Sequence, residues 1–208
     1  MNAAPLRNLF GWWATYNGLQ LVHGAAVGTD GAAALITAPG GAGKSTTAVR
    51  AALEGMAFLG DDYVVVDPEG PRVHSIYSSA KMDRWAIEEF APHIGALSRG
   101  LVGEPGKEKH FFLGTDIFAS ALASTHRLVA LVVPALGDGS ETKVIEVSGG
   151  DALTAMAPTT LFQLEGSSAE DFSAMARLVR SLPLFRLRIG RDGPASPALV
   201  DLIQRVAA

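Results

Sequence analysis

The segment Ala38-Pro-Gly-Gly-Ala-Gly-Lys-Ser45 constrains this chain more than any other. It differs by one residue from the phosphate-binding loop pattern G-x-x-x-x-G-K-[ST], because Ala38 stands in the place of the first glycine. Residues 32–37 before it are short and apolar and predict a buried strand, and residues 46–54 after it predict a helix. A strand, a glycine-rich loop and a helix in this order predict a site for nucleotide phosphates.

Each part of the loop has its own chemical task in such a site. Glycines let successive backbone N–H groups turn toward phosphate oxygens, and the start of the helix adds partial positive charge. Lys44 can reach the terminal phosphates, and the hydroxyl of Ser45 can ligate Mg²⁺. The predicted nucleotide-binding residues are Pro39, Gly40, Gly41, Ala42, Gly43, Lys44, Ser45 and Thr46. The alternative, a glycine-rich turn with an exposed lysine, does not explain why Lys-Ser-Thr opens a helix.

Composition narrows the class of protein. A chain of 208 residues predicts a single domain, 1–208, and its 48% of hydrophobic residues can supply a sizeable core. The formal net charge is −4 and the basic residues are scattered, which argues against a nucleic-acid surface. The chain has no cysteine, which excludes disulfides and thiolate metal sites and favours a cytoplasmic location.

The N-terminal residues predict neither a signal peptide nor a membrane partner. The run from Leu9 to Ala14 is too short and aromatic for a signal peptide, and no apolar run reaches the roughly 18 residues of a membrane span. Residues 5–17 instead predict an amphipathic helix within the N-terminal segment 1–18. Its large apolar residues are Leu6, Leu9, Phe10, Trp12 and Trp13. We expect it to pack on the domain edge, and a partner-binding surface is the alternative.

The remaining pattern predicts strands and helices of an α/β domain. Residues 19–27 predict a strand, and the turn residues 28–31 join it to the strand at 32–37 as an antiparallel hairpin. Further strands are expected at 56–60, 63–67, 72–77, 111–113, 128–134, 143–147 and 184–189. Further helices are expected at 81–91, 150–157, 159–164, 169–180 and 196–206. Residues 95–110, rich in glycine and charge, predict a mobile loop.

Asp61 and Asp62 are the candidate catalytic carboxylates. They follow Lys44 by 17 and 18 residues, a gap that one helix and one strand fill, so we expect them at a strand end beside the loop. One carboxylate can hold Mg²⁺, and the other can accept a proton from an attacking hydroxyl. Repulsion between neighbouring carboxylates raises the pKa of one of them, which suits a base. A solvated turn is the alternative.

Further residues could complete the site. His23 lies on the predicted strand 19–27, where a histidine is more often a core residue than a catalyst. Phosphoryl transfer also needs positive charge near the terminal phosphate. Lys81, at the start of a predicted helix, and Lys109, in the predicted mobile loop, are candidates for this cation. Further candidates are Lys107, Arg84 and Arg99. Plain surface charge is the alternative for each of them.

Two runs of this sequence resemble the catalytic core of HPr kinase/phosphorylase. Residues 22–45 carry a His-Gly and a Gly-x-Gly-Lys-Ser loop, and residues 55–62 end in Asp-Asp, at intervals that match the family's. The run from Leu59 to Asp62 is also similar to phosphoenolpyruvate carboxykinases, which share the nucleotide-binding architecture. The resemblance covers the phosphate-binding core 19–67, and it implies an α/β P-loop fold with a mixed sheet and flanking helices.

The resemblance implies a role for each matched residue. Lys44 and Ser45 would bind the phosphates of ATP and its Mg²⁺. Asp61 would act as general base on a serine hydroxyl, while Asp62 would support the metal or orient Asp61. His23 would lie beside the phosphates and tune this network.

The chain departs from the two-domain bacterial members in two respects. Only 18 residues precede the first predicted strand, so their regulatory N-terminal domain is not expected, and residues 75–81 stand where the family has a glutamate motif. The resemblance therefore implies a single-domain kinase acting on a serine of an HPr-like protein or of a precursor peptide, such as that of a lasso peptide.

Three alternatives remain at this point. A small-molecule kinase could use the same fold, or a non-catalytic ATP-binding sensor could keep the loop without turnover. The family's ring of six subunits also makes a homo-oligomer one option for the chain, with simple intramolecular packing of the aromatic helix as the other.

Overall fold

The computed structural model describes residues 4–94, 99–101, 109–161, 169–191 and 194–208. Most of the predicted mobile loop at 95–110 lies outside these residues, and so does the end of the helix predicted at 159–164. The described chain is a mixed α/β fold with two sheets, mostly antiparallel, and flanking helices. No helix in the described part of the chain has the length and apolar character needed to cross a bilayer.

The strands follow in chain order. They are β1 (Gln20–Val22), β2 (Ala25–Thr29), β3 (Ala32–Ile36), β4 (Ala57–Gly60), β5 (Val64–Asp67), β6 (Arg72–His74), β7 (Ser79–Asp83), β8 (Arg99–Leu101), β9 (Lys109–Leu113), β10 (Thr125–Leu136), β11 (Lys143–Glu146) and β12 (Leu184–Ile189). The helices are α1 (Arg7–Tyr16), α2 (Lys44–Leu53), α3 (Arg84–Ile94), α4 (Gly114–Ile117), α5 (Gly149–Leu161), α6 (Ala169–Ser181) and α7 (Ala195–Ala207), with a 3₁₀ turn at Ala119–Ala121.

The larger sheet is organised around β10. Its strand order is β1-β5-β6-β10-β3-β2-β4, and β12 and β11 attach beside β10. β10 runs parallel to β3 and β12, whereas the other pairings of this sheet in the described chain are antiparallel. The predicted hairpin of β2 and β3 is confirmed, with Asp30 and Gly31 both at positive φ in its turn. The smaller sheet has the antiparallel order β7-β9-β8.

Two antiparallel segments are interrupted at the same level. One segment consists of β1 and β2 and breaks at His23-Gly24, and the other consists of β4 and β5 and breaks at residues 61–63. The pairing register on one side of the break, Val22↔Val64, continues into Ala26↔Gly60 on the other side. The single strand predicted at 19–27 is therefore wrong at its centre, and the two breaks face each other.

Gly24 shows why the first segment cannot continue as a regular strand with an ordinary side chain. A Cβ on this residue would lie 2.8 Å from the carbonyl oxygen of Ile36 at the end of β3. The backbone passes β3 too closely for any other residue. Its N–H donates instead to the carbonyl oxygen of Asp62, at 3.2 Å, across the break.

Helices cover both faces of the larger sheet. Successive residues of β3 point to opposite faces, so that Ile36 joins a core with residues of α2 and α7 while Leu35 joins a core with residues of α5 and α6. All five residues of β3 are buried, as expected for a strand covered on both sides. Because β3 leads directly into the glycine-rich segment, this core fixes where that segment leaves the sheet.

Several predicted elements differ from the observed ones. Lys81 lies in β7 rather than at a helix start, because residues 79–83 pair with β9 and the helix begins at Arg84. Lys109 belongs to β9, which is paired with β7, and not to a loop. The helices predicted at 150–157 and 159–164 form one helix, α5, through Leu161. β12 has the predicted bounds.

The N-terminal helix α1 packs on the edge of the fold, as predicted. Phe10 and Ala14 contact a small core around Leu21 and Tyr77. The opposite side exposes the apolar residues Leu9, Trp12, Trp13 and Tyr16. The hydroxyl of Thr15 donates to Asp171 of α6 at 3.0 Å, which ties α1 to α6.

Candidate active site

The glycine-rich segment turns the chain from β3 into α2. Gly41 and Gly43 have φ angles of +81° and +89°, which residues with a Cβ rarely adopt. Ala38, where the pattern has its first glycine, has no left-handed backbone and packs fully buried in the core. Alanine is therefore accommodated there. α2 begins at Lys44, so its unpaired N–H groups lie directly after the loop.

Lys44 is held against the loop. Its ammonium donates to the carbonyl oxygens of Ala38, at 2.8 Å, and of Pro39, at 3.4 Å. Burial of the ammonium lowers the pKa of Lys44, while the charges of Asp61 and Asp62 act in the opposite direction. The structure thus brings the loop lysine and the acidic pair within electrostatic reach of each other.

Asp61 is the deeper of the two carboxylates, with 1% of its surface exposed. Burial and repulsion from Asp62 raise its pKa to about 6, although hydrogen bonds from Ser45 and from the backbone oppose this. The backbone N–H of Lys81 donates to Oδ2 at 3.3 Å. Oδ1 is buried and has no hydrogen-bond partner among the described residues. Asp61 therefore combines an accepting oxygen with a pKa close to neutrality.

Asp62 has the opposite character. Burial alone would raise its pKa, but the hydrogen bond with His23 and the charge of Lys81 outweigh burial and lower the pKa to about 2. Oδ1 lies 3.3 Å from His23 Nε2, and Oδ2 is in contact with the ammonium of Lys81. Its backbone is left-handed, with φ of 73°, which is unusual for a residue with a side chain. The pair thus contains one carboxyl that stays ionised near neutral pH and one that is more readily protonated.

His23 stands beside this pair at the break of the first segment. Burial lowers its pKa and so favours the neutral ring, and because ionised Asp62 can only accept, the hydrogen bond requires a proton on Nε2. Its backbone N–H donates to the hydroxyl of Thr160 in α5 at 3.2 Å, and its ring centre lies 5.1 Å from that of Tyr63. These contacts fix the orientation of the imidazole toward Asp62.

The loop, His23, Asp62 and the lysines line one cavity of about 270 Å³. Its lining comprises Arg7, His23, Gly40, Gly41, Gly43, Lys44, Ser45, Thr46, Asp62, Tyr63, Lys81, Met82, Asp83, Trp85 and Lys109. Asp61 lies behind this wall, in contact with Ser45. Sequence reasoning missed Arg7, Tyr63 and Trp85. Tyr63 could have been found because it follows the acidic pair, whereas no local pattern distinguishes Arg7 or Trp85 from surface residues.

The predicted cations divide into three groups. Lys81 and Lys109 reach the cavity, where Lys81 contacts Asp62 and Lys109 lies 3.7 Å from Asp83 across the smaller sheet. Arg84 is not part of the cavity lining. Lys107 and the side chain of Arg99 lie outside the described part of the chain.

The oxygens of Ser45, Asp61 and Asp62 fit a magnesium ion. Mg²⁺ prefers oxygen ligands and is usually held by one or two carboxylates together with substrate phosphates. The hydrogen bond between Ser45 and Asp61 joins two of these side chains, and Asp62 directly follows Asp61 in the chain. Within the described residues there is no cluster of three or more His, Asp or Glu side chains that could hold a metal ion.

The fold and the site together define a mixed α/β protein in which a glycine-rich loop and a helix start face an acidic pair. The chain matches no protein-family model and none of the curated proteins. A solved structure that it resembles is the Hpr(Ser) kinase/phosphatase from Coxiella burnetii, with a TM-score of 0.40 at 10% identity, covering 89% of this chain and 94% of that chain. A TM-score this low assigns no activity to the chain, so its function rests on the site itself.

Proposed function

We propose that this protein is an ATP-dependent serine kinase, which moves the γ-phosphate of Mg·ATP to a hydroxyl of a small protein or peptide. One observation carries the proposal: the loop lysine Lys44 and Asp62 line one cavity, and Asp61 lies directly behind its wall, in electrostatic contact with Lys44. A glycine-rich loop with Lys44 is sufficient for binding a nucleotide. A buried carboxyl with a pKa of about 6 beside that loop is suited to proton transfer, which a pure ATP sensor does not need.

The loop and the start of α2 would hold the phosphates of ATP. Backbone N–H groups around Gly41 and Gly43 and the ammonium of Lys44 supply the positive potential. Ser45 and ionised Asp62 would hold Mg²⁺, which neutralises charge on the phosphates when bound. Lys44 would exchange its contacts with Ala38 and Pro39 for phosphate oxygens.

Asp61 would act as the general base. Its pKa of about 6 leaves it mostly ionised at pH 7 and still basic enough to take a proton as the acceptor oxygen attacks. The proton would pass from the serine hydroxyl to the Asp61 carboxylate once the wall in front of it gives access, and Oδ1 has no other partner among the described residues. Asp62, held by His23 and Lys81, keeps its negative charge beside Asp61 and so maintains the raised pKa. Positioning and electrostatics account for this reaction without a covalent enzyme intermediate.

The sequence resemblance of residues 19–67 to HPr kinase/phosphorylase supports a serine of a small protein or peptide as the acceptor. A small-molecule acceptor on the same fold remains the competing proposal, and a screen that offers both kinds of acceptor separates the two.

The test compares the wild-type protein with Asp61→Asn. Binding of Mg·ATP is measured by calorimetry. Phosphoryl transfer is measured from the intact mass of candidate acceptors, which are the proteins and peptides encoded by genes beside the gene of this protein, and small hydroxyl compounds. We expect the variant to bind ATP as the wild type does and to lose transfer. Asp201→Asn, on the exposed face of α7, is the matched control and keeps both properties.

Three results would contradict the proposal. No ATP binding by the wild-type protein would remove nucleotide chemistry altogether. Binding without transfer to any acceptor, in both proteins, would identify an ATP sensor. Full transfer by Asp61→Asn would remove Asp61 as the base.

A further inference from the structure

Arg7 is the first residue of α1, outside the phosphate-binding core 19–67, and it lines the same cavity as Lys44, Asp62 and Lys81. Its guanidinium carbon lies 6.0 Å from the centre of the Tyr63 ring, and the guanidinium hydrogen-bonds with Tyr63. Tyr63 directly follows Asp62, and its ring packs on His23. The guanidinium therefore contacts the residue that follows the acidic pair and lines the same cavity as Asp62 and the loop.

The other described cations of the cavity have anionic or carbonyl partners. Lys81 contacts Asp62, Lys109 pairs with Asp83, and Lys44 donates to the loop carbonyls. Arg7, by contrast, forms no ion pair with any described residue and is exposed to the cavity. A guanidinium presents a planar fork of N–H donors that suits two phosphate oxygens at once.

The chain before α1 holds Arg7 in this place. The hydroxyl of Tyr77 donates to the carbonyl oxygen of Pro5 at 2.5 Å, and Leu6 then adopts a left-handed backbone with φ of 61°. Phe10, one turn further on, packs edge-on against the Tyr77 ring at 6.0 Å. A left-handed leucine is strained, and such strain persists where the surroundings impose it, commonly at functional sites. The backbone is thus held both before Arg7, at Pro5, and after it, at Phe10, which distinguishes Arg7 from an arginine on a mobile surface segment.

We propose that Arg7 binds the terminal phosphate of the nucleotide donor, so that the N-terminal helix supplies a cation in addition to Lys44 of the core 19–67. The inference rests on the proposed kinase function and goes beyond it by assigning a contact to the γ-phosphate. That contact separates ATP from ADP, because ADP has no terminal group to reach Arg7.

The test measures the affinity of Arg7→Gln for a non-hydrolysable ATP analogue and for ADP, each with Mg²⁺, by calorimetry. We expect the analogue to bind about tenfold more weakly and ADP to change less than about twofold, since a charge-assisted hydrogen bond is lost for one ligand only. Arg7→Lys, which keeps the charge but not the fork, is expected to lie between Gln and wild type. Arg180→Gln, exposed at the end of α6, is the matched control and changes neither affinity.

Equal weakening of both nucleotides, or no weakening of either, would overturn the assignment of Arg7. A wild-type protein that binds neither nucleotide would instead overturn the proposed function, so the two failures are distinguishable. Circular dichroism and the fluorescence of the α1 tryptophans establish that the helix stays docked. If Arg7→Gln undocks it, Arg7→Lys provides the same ATP-to-ADP comparison and decides the question.

Discussion

The imidazole Nε2 of His23 lies 3.3 Å from Oδ1 of Asp62, across a break that two antiparallel segments share. In an unbroken ladder these positions would carry only backbone hydrogen bonds and core side chains. The break releases both side chains toward the cavity, while the hydrogen bond from Gly24 N–H to the Asp62 carbonyl keeps the segments aligned. The candidate site is therefore built into the sheet and not placed on a loop above it.

The rate of phosphoryl transfer is expected to depend on the ionisation of Asp61. Its pKa is raised to about 6 by burial and by Asp62, and a base must be deprotonated to act. Activity should therefore be full at neutral pH and fall about tenfold per pH unit below the pKa. A pH profile of kcat/KM measures this. A profile that stays flat well below pH 6 would contradict the assignment.

Asp61→Asn is expected to stabilise the protein at neutral pH while it abolishes transfer. Because the folded-state pKa of about 6 lies above the usual 3.8, ionising Asp61 opposes folding. The free energy of unfolding of Asp61→Asn should exceed that of the wild type by an amount that grows as pH rises from about 4 to about 6. Above about pH 6 this difference should stay constant, with an upper limit of about 3 kcal/mol. Urea unfolding of both proteins at about pH 4 and about pH 8 tests this. An equal difference in stability at the two pH values would refute the burial argument.

The contact between Lys81 and Asp62 is expected to contribute to stability beyond an ordinary surface ion pair. Both side chains are largely buried, with exposures of 28% and 11%. A double-mutant cycle of Lys81→Met and Asp62→Asn, read from urea unfolding, should give a coupling energy of about 1 to 2 kcal/mol. The pair Lys109 and Asp83, with exposures of 42% and 47%, is the matched control and should couple by less than about 0.5 kcal/mol. Equal coupling in the two cycles would show that burial does not strengthen the first pair.

Gly24→Ala is expected to destabilise the fold, because its Cβ would lie 2.8 Å from the carbonyl oxygen of Ile36. Forcing β3 and the break apart should cost about 1 to 3 kcal/mol. Gly40→Ala is the control, since a Cβ there meets no atom within 4 Å and the backbone φ is not left-handed. Thermal unfolding of both variants measures the difference. A loss of stability in Gly40→Ala as large as in Gly24→Ala would contradict this explanation.

The sequence predicted the local elements of the core better than their interruptions. The apolar run 32–37 and the helix after Lys44 could be predicted because buried strands and helix starts have strong local patterns. The break at His23-Gly24 could not be predicted, because the close approach of Ile36 that excludes a side chain at residue 24 involves another strand. The sequence predicts Lys81 at a helix start, but residues 79–83 form a strand. They do so because they pair with β9, and local propensity does not show that pairing.

The sequence by itself determined a glycine-rich loop between a strand and a helix, and an acidic pair one helix and one strand later. Spacing along the chain carries that information, because each element follows from its own residues. Only the tertiary structure decided that the pKa is raised at Asp61 and lowered at Asp62, that His23 faces Asp62 and that Arg7 joins the cavity. Burial and contact between distant segments set these properties, and neither is encoded in any local stretch of residues.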